Sequence, residues 1–553
     1  MKYLLVLLLT SYSCISHGQD FKSQIDSLLA PYNNDTTPGF SVGVVKEGNW
    51  LYKKGFGMAN LEHQIPNSPT TVFRIASTSK QFTAACILML EKDKKLSLDD
   101  KLKKFYPAFP DYANDITIRH LLHHTSGLRD YLMLSYLAGM RDEDYYTNQE
   151  LMTWLENQQG LNFTPGEQFN YSNSGYWLLG QIVEQVSGMS LAKYAHEHLF
   201  VPLNMAHSHF HNEPNAIVFN RASGYTPSTT GGFERCETTL PMVGDGGVFT
   251  TIEDFKLWTD ELITHSVFGS DFWQQMCTKG VLNNGESIHY ALGLMHSEQH
   301  GNASIGHGGA FVGFLSKSIS FPDHGLSIMI FGNRNDFSPS RLATNIAEIV
   351  LPNQTDEEPS IAQTSNSKKN RTRKVNLSAR DLGLFEGFYK ADDGLNLQAT
   401  LVDDTLRITQ LWNASSYPII PISKNAFEIP GYDGLVFEFM HEKKSKAHSL
   451  IVEQGTEQYE YASFDFTPLN ANELEAFEGS YYSKELQLHY QMRLRENRLE
   501  VIIGNHDPKA LQQTDRNTFV TNGIIFHFDM KSDSPTGFSI GAGRVEGILF
   551  ERS

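Results

Sequence analysis

Two hydrophobic periods alternate along the chain, and they predict where helices and strands lie. Apolar residues recur at helical spacing over 21–32 and over most of 118–210, whereas 39–59 shows the alternation of a β-hairpin. Strand-like stretches return over 288–333, and a last helix is predicted from about Ser340 to Leu351. Within residues 288–333, we expect strands at Tyr290–Leu294, Ala310–Ser320 and Leu326–Phe331.

The order of these elements predicts the fold of residues 19–353. Strands at both ends of the region, with helices between them, indicate one antiparallel sheet built from the two chain ends and a helical lobe inserted between them. We therefore expect an α/β (α+β) domain over 19–353.

In the C-terminal region, the composition first becomes polar, and an internal sequence repeat follows. Residues 354–378 are polar and charged, which is typical of a linker. Beyond it, four short matches recur in order about 90 residues apart. They pair Leu384–Tyr389 with Ala476–Tyr481, Leu401–Leu406 with Leu494–Leu499, Asn425–Phe427 with Asn517–Phe519, and Gly434–Phe439 with Gly523–Phe528. Apolar residues alternate within each repeat, so we predict two small all-β units, 379–468 and 469–553, each a closed antiparallel barrel.

The N-terminus has the pattern of a secretory signal peptide. Lys2 precedes a short apolar run, and Ser16-His17-Gly18 places small residues before a cut at Gln19. The run is shorter than the roughly 20 residues that span a membrane. We therefore expect residues 1–18 to be removed and the protein to be periplasmic or secreted, with a lipid anchor on Cys14 as the alternative.

Composition, charge and cysteine count narrow the classes of function. The chain has 553 residues, of which 40% are hydrophobic and 20% charged, as in ordinary globular proteins. A formal net charge of -18 argues against a nucleic-acid partner. The three cysteines beyond the signal, Cys86, Cys236 and Cys277, are too few and odd in number for a disulfide scaffold.

The main chemical candidate is a serine and a lysine at the start of an apolar helix. Ser77 and Lys80 lie three residues apart, so one helix face presents both, and a neutral amine there can take the serine proton. The same spacing recurs at Ser190 and Lys193, interpreted as a helix cap, and at Ser365 and Lys368, in the linker. The apolar helix behind Ser77 distinguishes it from those two, and Ser77 is the predicted nucleophile.

Two further segments complete a possible site. Tyr171-Ser172-Asn173 closes a turn and opens an apolar helix, so Tyr171 is a candidate second base beside Lys80. Gly306-His307-Gly308-Gly309-Ala310 brings glycines to a strand, where a substrate carbonyl can approach the backbone. The amides of Ser77 and Ala310 are the predicted oxyanion hole.

Taken together, these segments resemble the serine β-lactamase and penicillin-binding protein superfamily, in its class C-like branch. The resemblance covers about 35–350 and includes Phe73–Thr83, His120–Leu128 and Pro165–Tyr176. It implies that Ser77 is acylated, that Lys80 is its partner, that Tyr171 is the second base, and that Asn173, His307 and Gly309 meet the substrate. His307 takes the place of a family lysine that helps to bind a substrate carboxylate.

The expected function is that of a serine hydrolase acting through a Ser77 acyl-enzyme on a small amide, ester or peptide. The two β units after the catalytic domain make the architecture similar to D-stereospecific aminopeptidases. Three alternatives stay open: a true β-lactamase or D-Ala-D-Ala carboxypeptidase, a non-catalytic sensor on the same fold, and β units that bind cell-wall sugars or peptides. The general base is either Lys80 or Tyr171.

No cofactor or metal is expected. His120, His123 and His124 lie close together in sequence, but no carboxylate cluster accompanies them, and in the resembling family this loop is structural. We therefore expect the three histidines to be satisfied loop residues.

The signal-peptide assignment yields the first testable prediction. When the chain is expressed with its own N-terminus in an exporting bacterial host, the mature protein should begin at Gln19, because cleavage follows Gly18. Intact-mass measurement and N-terminal sequencing check this. A product that retains residues 1–18, or one that begins at a lipid-modified Cys14, contradicts it.

Overall fold

The computed structural model describes residues 21–141, 144–351, 375, 377–391, 395–413, 415–430, 435–442, 445–454, 457–532 and 534–553. The predicted signal peptide, Cys14 and almost all of the predicted linker lie outside these ranges. The described chain forms two compact units. One contains 21–132 and 144–351, and the other contains 133–141 and the described residues from 375 onward.

The first unit combines one large sheet with short strand pairs and a helical lobe. Its strands are β1 (Phe40–Lys46), β2 (Asn49–Phe56), β3 (Met58–Asn60), β4 (Ile65–Pro66), β5 (Phe73–Arg74), β6 (His209–Phe210), β7 (Gly224–Pro227), β8 (Phe233–Cys236), β9 (Val248–Thr250), β10 (Met295–Gln299), β11 (Asn302–Phe311), β12 (Phe314–Phe321) and β13 (Leu326–Gly332). Its helices are α1 (21–29), α2 (Lys80–Lys92), α3 (Leu102–Phe105), α4 (Ile118–Leu122), α5 (Tyr131–Leu137, which continues into the second unit), α6 (Asn148–Glu156), α7 (Asn173–Ser187), α8 (Leu191–Ala195), α9 (Ile252–Thr264), α10 (Ser270–Met276) and α11 (Pro339–Val350). Short 3₁₀ turns cover Ala30–Tyr32, Ala76–Ser79, Asp111–Asn114 and Pro322–His324, and a π-helical turn covers His196–Phe200.

The large sheet is antiparallel and joins the two ends of the unit, as the sequence predicted. Its strand order is β10-β11-β12-β13-β1-β2, so the first strand of the chain pairs with β13. Helices α1 and α11 cover one face, where Ile25, Leu29 and Ile346 join Phe40 and Ile330 in a buried hydrophobic core. Burial of these apolar side chains holds the chain ends together.

One strand prediction was wrong and another holds in part. Tyr290–Leu294 forms a tight loop, because Gly293 adopts a φ of 69° and a Cβ there would lie 2.6 Å from the Gln81 backbone. Ala310–Ser320 is not one strand: it covers the end of β11, a turn in which Val312 has φ 47° and Gly313 φ 75°, and β12 as far as Ser320. The apolar residues of both segments predict that they are buried. The tight turns instead depend on how closely the backbone approaches other elements, which the apolar pattern does not show.

The helical lobe confirms the local sequence signals. Ser190 caps α8 by accepting a hydrogen bond from the Lys193 amide at 3.2 Å, so this second serine–lysine pair is a helix start. Cys86 is buried in α2. Within the described residues, no helix has the length and apolar character needed to cross a membrane.

The second unit is built from antiparallel strands. They are β14 (Gly387–Lys390), β15 (Leu397–Val402), β16 (Thr405–Gln410), β17 (Ser416–Pro421), β18 (Ala426–Glu428), β19 (Leu435–Met440), β20 (Ser449–Gln454), β21 (Glu457–Phe464), β22 (Gly479–Ser483), β23 (Leu488–Arg495), β24 (Arg498–Ile503), β25 (Lys509–Ala510), β26 (Gln512–Asp515), β27 (Thr518–Thr521), β28 (Ile524–Lys531), β29 (Ser534–Ala542) and β30 (Val545–Arg552). Two short helices, α12 (Ala379–Leu382) and α13 (Ala471–Leu474), precede the strand groups, and Glu475–Phe477 forms a 3₁₀ turn.

The two strand groups confirm the predicted barrels, with one difference in closure. Strands β14–β21 form a closed barrel. Strands β22–β30 form a nine-stranded sheet whose edges are β25 and β26, so the second barrel is nearly closed. Only Leu511 separates these two edge strands in sequence.

The repeated Phe-Glu-Gly-x-Tyr sequence has the same physical role in both barrels. Tyr389 donates its hydroxyl to the Phe385 carbonyl at 2.8 Å, and Tyr481 donates to the Phe477 carbonyl at 2.9 Å. The two glutamates act alike, because Glu386 accepts from the Leu401 amide at 2.8 Å and Glu478 accepts from the Leu494 amide at 2.6 Å. The repeat therefore marks the point where each barrel joins its short helix to its first strands.

The second unit also includes the short stretch 133–141. Tyr490 donates to the Leu137 carbonyl at 2.7 Å, and a Cβ on Gly139 would lie 2.7 Å from the Gly504 Cα. The backbone approach at Gly139 leaves no room for a larger residue.

The repeat predicts local destabilisation by a single hydroxyl deletion. Tyr389→Phe and Tyr481→Phe should each leave a buried carbonyl without its donor, at a cost of about 1–3 kcal/mol. Hydrogen–deuterium exchange should accelerate in 379–390 for Tyr389→Phe and in 471–483 for Tyr481→Phe. Tyr482→Phe is the matched control, since Tyr482 faces the His489 ring. Equal exchange in all three variants would contradict the role of the motif.

Candidate active site

The predicted nucleophile lies in a tight turn immediately before α2. Strand β5 pairs with β9, and the Ile75 amide donates to the Val248 carbonyl at 3.0 Å. Ala76 then adopts a φ of 46°, a left-handed conformation that residues other than glycine rarely adopt. Ser77 lies in the 3₁₀ turn Ala76–Ser79 and the α-helix begins at Lys80, whereas the sequence placed Ser77 at the helix start. Ser77 is partly exposed and Lys80 is fully buried.

The Lys80 amine contacts three oxygen atoms from separate parts of the chain. Its Nζ lies 3.2 Å from Ser77 Oγ, 2.9 Å from Asn173 Oδ1 and 2.5 Å from the Asp245 carbonyl oxygen. An ammonium donates to all three oxygens, whereas a neutral amine donates to two and accepts from the third. Because Asn173 Oδ1 and the Asp245 carbonyl can only accept, the lone pair of the neutral amine faces Ser77 Oγ. This is the geometry required of a general base for Ser77.

Asn173 is fixed by a carboxylate that sequence reasoning did not single out. Asp130 Oδ2 accepts from the Asn173 amide at 2.7 Å and from Asn173 Nδ2 at 2.9 Å. With Nδ2 committed to Asp130, Asn173 Oδ1 is left facing Lys80. Asp130 lies two residues beyond His120–Leu128, the segment quoted for the family resemblance, and an acidic residue there is the signal that was available.

Tyr171 lies beside the lysine through its ring. The Lys80 Nζ is 4.8 Å from the centroid of the Tyr171 ring, and the Tyr171 ring is 4.1 Å from that of His124. Tyr171 therefore belongs to the environment of Lys80, and its role as second base stays a prediction.

His307 lies within β11 with both ring nitrogens engaged. Nδ1 lies 2.5 Å from the Gly308 carbonyl and Nε2 lies 3.0 Å from the Tyr290 hydroxyl. The carbonyl can only accept, so Nδ1 carries the proton and Nε2 accepts from Tyr290. Burial, aided by the Lys80 charge, lowers the pKa of His307 to about 3. His307 is therefore neutral near pH 7.

The glycine beside His307 brings β11 against the nucleophile turn. A Cβ on Gly309 would lie 2.3 Å from the Ile75 carbonyl and 2.9 Å from the Ser77 nitrogen, so only glycine fits. Ser316 of β12 secures the same turn by donating to the Ile75 carbonyl at 2.7 Å. Ala310, the next residue of β11, is exposed, and the Ser77–Ala310 oxyanion hole stays a prediction.

Asp245 is the second residue that sequence reasoning missed. It lies in a loop of glycines, Gly244-Asp245-Gly246-Gly247, and is buried. Its carboxylate accepts from the Tyr131 hydroxyl at 3.0 Å. The available signal was one acidic residue between glycines in an otherwise apolar stretch.

The three loop histidines make local hydrogen bonds. His120 Nδ1 accepts from the Thr117 amide at 3.3 Å as part of the α4 cap, and His124 Nδ1 accepts from the Ser172 amide at 3.1 Å. His123 Nδ1 is 3.3 Å from the Tyr290 carbonyl. These bonds support the expectation that the histidines hold the loop.

Comparison with known proteins agrees with this geometry. A model of the Beta-lactamase family matches residues 25–351. The chain is 29% identical over 434 residues to penicillin-binding protein 4* of Bacillus subtilis strain 168, covering 74% of this chain and 92% of that protein. It is 28% identical over 296 residues to a D-aminopeptidase of Gluconobacter oxydans, covering 54% of this chain and 56% of that enzyme. The chain thus spans about half the length of that enzyme.

A solved structure extends the likeness to three dimensions. The octameric penicillin-binding protein homologue from Pyrococcus abyssi superposes with a TM-score of 0.56 and 25% identity, covering 79% of this chain and 99% of that one. The fold and the family predicted from the sequence are confirmed.

The buried neutral His307 predicts a pH-dependent stability difference. The pKa of His307 is about 3 when folded and about 6.5 when unfolded, so below pH 6.5 the unfolded chain binds the proton preferentially. This destabilises the wild type as the pH falls. The free-energy advantage of wild type over His307→Gln should therefore shrink by up to about 2 kcal/mol between pH 7.5 and pH 5.

Urea unfolding followed by tryptophan fluorescence at both pH values measures this difference. A difference that is constant, or that widens as the pH falls, would show that His307 is charged in the folded protein.

Proposed function

Since the chain belongs to the Beta-lactamase family, we propose that it is an exported serine hydrolase that is acylated on Ser77. Its substrates are small amides or esters, with D-amino-acid amides and peptides as the preferred class. The observation that carries this proposal is the Lys80 amine, whose Nζ lies 3.2 Å from Ser77 Oγ and is held by two oxygens that only accept.

The chemistry follows from the positions of these groups. Ser77 Oγ attacks the carbonyl carbon as its proton passes to the Lys80 Nζ, and the backbone amides of Ser77 and Ala310 stabilise the oxyanion. The C–N or C–O bond of the substrate then breaks, and the leaving group takes the proton from Nζ. A water molecule attacks the Ser77 ester by the same proton path, which releases the acid and restores the serine.

The preference for amides and esters that lack a carboxylate at this position rests on His307. The ring is neutral near pH 7 and both nitrogens are occupied by Tyr290 and the Gly308 carbonyl. It therefore offers no cation to a substrate carboxylate. The similarity to a D-aminopeptidase of Gluconobacter oxydans supports D-amino-acid derivatives as the class to test.

A second candidate is a D-Ala-D-Ala carboxypeptidase or β-lactamase. It is favoured by one observation, since the alignment with penicillin-binding protein 4* covers 92% of that protein. A carboxylate substrate would then need a cation other than His307. Export is proposed from the N-terminal pattern of residues 1–18 alone.

Active-site labelling tests the nucleophile. A fluorophosphonate probe should label the wild type, and Ser77→Ala should abolish labelling because Ser77 carries the hydroxyl that the buried Lys80 amine contacts. Lys80→Met should label at least about 100-fold more slowly, the usual cost of losing a general base. The chain offers its own control in Ser190→Ala and Lys193→Met, the pair with the same spacing that caps α8.

Substrate class is tested on the same protein. A nitrophenyl ester, a D-alanine anilide, a D-Ala-D-Ala peptide and nitrocefin should be compared, and the first two should be turned over. Turnover of only the peptide or only nitrocefin would replace the proposal with the second candidate. A folded wild type that is neither labelled nor active would exclude a serine hydrolase.

A further inference from the structure

Both oxygens that hold the Lys80 amine are themselves held by two consecutive residues. Asp130 fixes Asn173 through two hydrogen bonds of 2.7 and 2.9 Å. Tyr131 donates to the Asp245 carboxylate at 3.0 Å. The dipeptide Asp130-Tyr131 therefore supports both acceptors of the Lys80 amine.

The loop that carries Asp245 is fastened along α2 and the turn before it. Thr83 Oγ1 donates to the Gly244 carbonyl at 2.7 Å, and the Val248 amide donates to Ser79 Oγ at 3.0 Å. Lys80 lies between these two attachments and meets the Asp245 carbonyl at 2.5 Å. The loop needs glycine at Gly244, whose φ is 111°. The side chain of Asp245 provides a further attachment, on Tyr131.

We propose that Asp130, Tyr131 and Asp245 form one positioning layer, which commits two hydrogens of the Lys80 amine and leaves its lone pair on Ser77. The inference rests on the proposed function, because positioning matters only if Lys80 acts as the base. The side chains of all three act as positioning groups, since Asp130 and Tyr131 act through Asn173 and Asp245, and Asp245 meets the Lys80 Nζ through its backbone carbonyl.

The layer also carries charge. The groups that face Asp245 are Lys80 of α2, Arg74 of β5, and Asp130 and Tyr131 at the start of α5. Burial raises the pKa of Asp245, while the Lys80 charge and the Tyr131 hydrogen bond oppose that rise. The Asp245 carboxyl group and Lys80 therefore interact electrostatically as well as through the Asp245 backbone carbonyl.

Two substitutions separate the geometric role from the electrostatic one. Asp245→Asn retains the backbone carbonyl for Lys80 and an oxygen for Tyr131, but it removes the charge. Tyr131→Phe retains the charge and removes the hydrogen bond that orients the loop. Tyr52→Phe is the matched control, because Tyr52 of β2 is also buried and its hydroxyl donates to the Asp26 carboxylate at 2.7 Å.

The experiment measures fluorophosphonate acylation of the full chain between pH 5 and pH 9, with the limiting rate separated from probe affinity. Tyr131→Phe should lower the limiting rate by about 10- to 100-fold with little change in probe affinity, because a small misplacement of a base costs that much. Asp245→Asn should alter the pH profile of the limiting rate, because it replaces the buried carboxyl group that interacts with Lys80 and Tyr131 by an amide that does not titrate. Thermal unfolding of each variant verifies folding.

Each outcome is decisive. If the wild type is acylated but both variants share the rate and pH profile of Tyr52→Phe, the positioning layer is overturned and the proposed function stands. If Tyr131→Phe fails to fold, the Asp245→Asn variant decides alone, and a pH profile equal to that of the wild type overturns the inference. If the wild type is not acylated at any pH, the proposed function fails, and this inference fails with it.

Discussion

A lysine amine without any contact with solvent is the constraint on which this site depends. Lys80 is fully buried, and a polar group in such a place is costly unless its hydrogens meet acceptors. The structure supplies two fixed acceptors, Asn173 Oδ1 and the Asp245 carbonyl, and leaves Ser77 Oγ as the third neighbour. The two hydrogen bonds that satisfy the buried amine therefore also orient its lone pair towards Ser77 Oγ.

The surrounding fold holds these groups at short range from distant parts of the sequence. The sheet joins the chain ends, so β11 passes against the turn that carries Ser77, and Gly309 permits that approach. Ala76 stores local backbone strain at the same point, with a left-handed φ of 46°. A strained residue before a nucleophile persists only because the pairing of β5 with β9 and the Ser316 hydrogen bond hold the turn on both sides.

Local sequence signals predicted the parts of this arrangement that depend on local chemistry. The spacing of Ser77 and Lys80, the hairpin of β1 and β2, the cap at Ser190 and the barrel repeat all follow from side-chain period or hydrogen bonding within a few residues. Asp245 meets Lys80 across 165 positions, and no local pattern encodes that contact. The loop at Tyr290–Leu294 was mistaken for a strand for a similar reason, since Gly293 turns there to lie against the α2 backbone. The role of Tyr171 as second base and the oxyanion amides stay predictions because they depend on a bound substrate.

Neutron diffraction from deuterated crystals grown at the pH of maximal acylation shows the protonation of Lys80. We expect two deuterons on the Lys80 Nζ, one directed at Asn173 Oδ1 and one at the Asp245 carbonyl, with the Ser77 hydroxyl deuteron directed at Nζ. Three deuterons on Nζ, or a Ser77 deuteron directed away from it, would show that Lys80 is not the base for Ser77.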